Sequence, residues 1–86
     1  MNIEYENYLL EPEFRQFNLY KSIQRKRKDG TLYDDTVVMG YGMRFETCIE
    51  AICKDKMADR NETISIRKYI YEYNLLNDEI LLNIQQ

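Results

Sequence analysis

Three features of this 86-residue chain predict an α+β domain. Strand-like alternation of apolar and polar residues fills the first half, helical periodicity fills the second, and Gly40-Tyr41-Gly42 separates them. The expected architecture is a three-stranded antiparallel sheet, β-β-β-α-α, with both C-terminal helices packed on one face. Residues 1–86 form a single domain, with the sheet over 1–42 and helices over about 43–59 and 63–84. A chain of this length builds one modest core and not two.

The first strand is expected over residues 3–10, after which Pro12, lacking an amide donor, forces a turn or an edge. A second strand from Phe17 to about Arg27 and a third from Thr31 to about Tyr41 form a hairpin around Asp29-Gly30. Patterning chooses its loop. A three-residue loop, Lys28-Asp29-Gly30, sets Phe17 opposite Tyr41, Leu19 opposite Met39 and Lys21 opposite Val37. That register gathers Phe17, Leu19, Ile23, Val37, Met39 and Tyr41 on one face. Asn18, Ser22, Gln24, Asp34 and Thr36 go to the other, with Tyr20 and Val38 as its apolar members. One residue of slip would mix the two sets. Gly30 is then expected at positive φ, in a type I turn with a G1 bulge.

The first helix is expected from Phe45, with 45, 48, 49, 52 and 53 as its apolar stripe. It ends near Asp59–Glu62, and Thr63 or Asn61 caps a second helix from about Ile64 to Ile84. This second helix carries two apolar faces. Ile66, Tyr69, Ile70, Tyr73, Leu76, Ile80, Leu81 and Ile84 form a broad core stripe. Ile64, Tyr71, Leu75 and Leu82 form an opposite seam spaced seven, four and seven. That seam either packs on the first helix or is an interface. As an oligomer interface it predicts a homodimer, because two-fold symmetry makes it self-complementary, with Lys68 brought near Asp78 across it.

Charge is uneven. The chain carries a net −3, yet residues 21–33 carry +4. Lys21, Arg25, Lys26, Arg27 and Lys28 can meet phosphates or an acidic protein surface, and Tyr33 can stack on a base. Asp29, Asp34 and Asp35 weaken that field, and strand alternation sends Arg25 and Arg27 to one face and Lys26 and Lys28 to the other. A solvated hairpin tip is therefore the first reading of the run and a binding finger the second.

Catalytic chemistry finds little support. The chain has no histidine, so Ser22 and Ser65 lack the usual activating base. Asp34 and Asp35 point to opposite faces of a strand and cannot act as an acid/base pair. Glu46 and Glu50 lie one helical turn apart but have no further ligands at matched spacing. No enzyme activity, cofactor or metal is expected. Cys48 and Cys53 sit about 140° apart around a helix, too divergent to pair within it, and read as buried free thiols. The N-terminus lacks a basic signal-peptide region, and no apolar run reaches the ~20 residues of a membrane span. A cytoplasmic protein with no membrane partner is expected.

"FNLYK" at 17–21, the charged hairpin, and "GYGMRFETCIEAI" at 40–52 together resemble small uncharacterised accessory proteins encoded by phages and prophages. The likeness spans about three quarters of the chain. It departs where those proteins place a helix-capping Ser, since this chain has Arg44. The resemblance implies a phage or mobile-element accessory protein. The expected function is protein binding, as an inhibitor of a host or anti-phage defence protein (such as an anti-CRISPR) by surface occlusion. The alternative is nucleic-acid binding through the basic tip.

Overall fold

The computed structural model describes residues 1–84. Four strands, β1 (Ile3–Tyr5), β2 (Tyr8–Glu13), β3 (Gln16–Lys26) and β4 (Leu32–Met43), precede helices α1 (Phe45–Ala58) and α2 (Ile66–Ile84). The strands form one antiparallel meander in chain order, so the sheet has four strands and not the expected three. The extra strand arises because residues 3–10 fold back on themselves. Tyr5 pairs with Tyr8 across Glu6-Asn7, and Glu6 takes a positive φ of 51°. Asn7 stabilises the corner by exchange with β3: its side-chain amide donates to the Ser22 carbonyl, and its carbonyl accepts the Ser22 N–H, both at 2.8 Å. Of the two outcomes expected at Pro12, an edge and not a turn is found. Pro12 lies within β2 opposite Phe17, past the end of β1, where that edge of β2 has no neighbour to need its missing N–H.

The β3/β4 turn has the expected chemistry. Gly30 adopts φ 92° and donates to the Arg27 carbonyl at 3.0 Å, while Arg27 N–H reaches the Thr31 carbonyl at 2.8 Å. The Asp29 carboxylate accepts from both the N–H and the hydroxyl of Thr31. Lys21 stands opposite Val37, as that loop requires.

Further from the tip the expected register fails. Irregularities on either side of Leu19 set Leu19 opposite Gly40, not Met39, and Phe17 opposite Met43, not Tyr41. Asn18 is the physical reason. Only 6% exposed, it donates to Glu11 and Glu13 at 3.1 and 2.8 Å and accepts the Gly42 N–H at 3.1 Å. Gly42, at φ 60°, supplies the backbone conformation this detour needs, and the Met43 sulfur fills the space a Cβ at Gly40 would take. The Gly-Tyr-Gly run therefore bends β4 instead of stopping it. Tyr41 is turned away from the core face and meets Tyr20 edge-on, with ring centroids 6.4 Å apart.

Both helices cover the face carrying Tyr5, Tyr8, Leu10 and Leu19. Leu10 and Leu19 meet Ile52, Cys48 and Cys53 of α1 and Ile80 of α2, all fully buried. The two thiols are free, and burial pushes both up from the usual thiol range, which keeps them inert. The α1 stripe packs as its spacing predicts, with Met57 added to the buried set. Helix α2 begins two residues later than expected. Ser65 caps it, its hydroxyl accepting the Lys68 N–H at 3.1 Å, and Ile64 precedes the helix.

The expected core stripe of α2 is buried only toward its C-terminal end. Tyr73, Leu76, Leu81 and Ile84 flank buried Ile80, whereas Ile66, Tyr69 and Ile70 stand exposed. Helix α2 rests on α1 and β1, and its first turns lie outside the buried cluster, so helical periodicity there faces water.

Candidate interaction surfaces

Lys21 is removed from the basic tip by the fold. Its Nζ lies 2.6 Å from the Asp55 carboxylate on α1, and the Tyr8 hydroxyl donates to that same oxygen at 2.6 Å. Burial alone would raise the Asp55 carboxyl, but the hydrogen bonds from Lys21 and Tyr8 outweigh it and hold it below the usual carboxylate value. Burial and the Asp55 contact both drive the Tyr8 hydroxyl upward, so it stays protonated and donates. Lys56, the next residue of α1, pairs with Glu6 and lies over the Tyr5 ring at 5.2 Å. These contacts fasten α1 to the sheet. Lys21 is a structural lysine.

The remaining tip residues sit on a two-stranded ribbon. Beyond Lys21 no β2 residue pairs with β3, and residues 24–32 are all exposed. Arg25 is paired with Asp35 at 2.6 Å, and the Arg27 guanidinium lies over the Tyr33 ring at 5.0 Å. Asp35 also accepts the Thr36 N–H at 2.8 Å, which occupies a donor of the edge strand β4. Among the described residues, Lys26 and Lys28 form no ion pair. Of the six residues expected to act together, one is sequestered, one is neutralised, and Arg27 and Tyr33 are stacked on each other. The concentrated phosphate-binding field implied by the run of cations is not assembled.

Apolar surface is concentrated on α2 instead. In its first turns, Ile66 and Ile70 are 81% and 54% exposed. Ile70 joins Tyr69, Tyr73 and Asn74 of α2, with Glu50 and Lys54 of α1, to line a groove of about 270 Å³. Tyr69 and Tyr73 stack within it at 6.1 Å, and Glu50 and Lys54 pair with each other along its α1 rim. On the opposite side of the helix, Tyr71, Leu75 and Leu82 are exposed, and Ile64 lies half-buried just before the first turn. The seam therefore does not pack on α1. Arg60 ties the interhelix connection to α2 through Glu72 and also pairs with Glu62.

Two exposed groups escape sequence reasoning. Ile66 and Ile70 match the core stripe, so periodicity assigns them to the interior; their place outside the buried cluster decides otherwise. Phe14, 99% exposed at φ 59°, occupies the β2/β3 turn. The short interval between the two strands was its sequence signal, masked by reading Pro12 as the break.

Among the described residues, no three His, Cys, Asp or Glu side chains gather closely enough to hold a metal ion, and no helix is long and apolar enough to cross a membrane. Among protein-family models, curated proteins and solved structures, none matches the chain.

Proposed function

We propose that the protein is a non-enzymatic binding protein whose target is another protein. In this reading it is a phage or mobile-element accessory protein that occludes a surface of a host or anti-phage defence protein, as anti-CRISPR proteins do, within the bacterial cytoplasm. The observation that carries the protein-binding reading is the groove between α1 and α2. Large apolar side chains held in water beside a charged rim are the surface a protein partner's apolar anchor fills. The phage context rests on the resemblance of residues 17–21 and 40–52. The basic ribbon supplies long-range attraction to an acidic target, an effect on association rate more than on residence time.

A bacterial strain whose defence system restricts a phage provides the test. Expression of the protein is expected to restore plaques, and Ile70→Asp to abolish that rescue while leaving the protein folded. Full rescue by Ile70→Asp would remove the groove from the mechanism. Nucleic-acid binding is the second reading, favoured only by the Arg27–Tyr33 stack. It requires retention on nucleic acid that falls steeply with salt.

A further inference from the structure

We infer that the outer seam of α2 is the interface of an antiparallel two-fold dimer, so that the occupant of this face is a second copy of the chain. This goes beyond the proposed target contact, which uses the opposite side of the helix. The seam residues Ile64, Tyr71, Leu75 and Leu82 are spaced seven, four and seven, a spacing that reads the same in both directions. An antiparallel twin with its dyad beside position 73 therefore sets Tyr71 against the second copy's Leu75 in both halves of the contact, and brings Leu82 toward the second copy's stretch just before the helix, where half-buried Ile64 lies.

The charges agree with that register. Arg67 and Asp78 line one flank of the seam, and Lys68 and Glu79 the other. All four are exposed, and none joins an ion pair among the described residues. In an antiparallel pair each flank meets its own copy. Arg67 then lies beside the second copy's Asp78, and Lys68 beside its Glu79 and not its Asp78 as expected above, because Lys68 and Asp78 are on opposite flanks. Every facing pair is of opposite sign. A parallel pairing would instead leave each charge near its like.

The area is sufficient. Helix α2 has 19 residues, about 28 Å of helix at ~1.5 Å per residue. Tyr71, Leu75 and Leu82 are 53–65% exposed along it. Covering that length on two copies removes on the order of 1,000 Å² in total, the lower limit for a specific interface.

Light scattering coupled to gel filtration tests the assignment on the whole chain. A concentration-dependent dimer is expected, with dimer the main species by about 200 µM. Leu75→Asp is expected to give a monomer with unchanged circular dichroism. Lys68→Glu should weaken the dimer at least tenfold by placing like charges together at both ends. Adding Glu79→Lys to that variant should restore wild-type association, which a role confined to one chain would not produce. A wild-type monomer at 200 µM overturns the inference, as does a dimer that the charge swap fails to rescue. Neither result bears on phage rescue through the groove, so the two readings fail separately.

Discussion

Two ion pairs on β3 have the same N–O distance and different consequences. Lys21–Asp55 and Arg25–Asp35 both measure 2.6 Å, and the cations lie four residues apart on one strand. The first pair has side chains only 19% and 28% exposed, joins two elements, and shares its carboxylate with the Tyr8 hydroxyl. The second is 49% and 43% exposed and joins two strands already fixed by the turn. Water screens the second and substitutes for either partner when one is lost. At the first, deleting one partner leaves the others poorly solvated beside the core. Distance describes contact, but the surroundings set its worth. The division also separates the roles of the hairpin: its base is structural, and its end is free to meet other molecules.

The largest expected effect comes from breaking the base. Asp55→Ala leaves the Lys21 ammonium and the Tyr8 hydroxyl without their acceptor and should cost about 2 kcal/mol in urea unfolding at neutral pH. The acid limb sharpens the comparison. The native Asp55 carboxyl lies below its ordinary value of 3.8. Its stabilisation is thus complete above that value and is lost as pH falls through the lower native one. The gap between wild type and Asp55→Ala should stay constant from pH 7 to about 4 and narrow in stronger acid. A gap that does not change with pH would assign the loss to packing instead.

A smaller effect is expected at Asn18, which belongs to the base but acts through the backbone. Asn18→Ala removes the acceptor for Gly42 N–H and the shared donor for Glu11 and Glu13, at an expected cost of about 1.5 kcal/mol. Hydrogen exchange at Gly42 should accelerate while exchange near Gly30 stays unchanged. Protection retained at Gly42 would show that the bend in β4 is held by Gly40 and Met43 without Asn18.

The smallest effect belongs to the end of the ribbon. Reversing Arg25, Lys26 and Arg27 to Glu should move stability by less than about 1 kcal/mol, because all three are exposed. Partner association should slow and the unfolding midpoint should hardly shift. A large loss of stability there would show that the ribbon is packed and erase the contrast with Lys21–Asp55.

Legibility in the sequence followed the range of the governing interactions. The Lys28-Asp29-Gly30 loop was readable because its hydrogen bonds lie within five residues and only glycine adopts its φ without strain. The α1 stripe was readable because its burial repeats with the helix itself. Register could be carried from the loop as far as Lys21–Val37 and no further, because the next constraint is Asn18, whose partners come from β2 and from the far end of β4. The fourth strand was hidden in a turn lacking glycine, with Glu6 held at positive φ by its neighbours on β3 and α1.

The same distinction governs the surfaces. The sequence alone determined the α+β composition, the positively charged hairpin and the two-sided apolar character of α2, because each is a property of local order and spacing. Tertiary structure decided that Lys21 is held against α1, that Arg25 is neutralised, that Ile70 lines a groove and that Ile66 stands in water instead of the core. Those outcomes depend on where α1 packs on the sheet and on how much of α2 reaches the buried cluster. Periodicity fixes the direction in which a side chain points; only the neighbouring elements determine whether protein or water lies there.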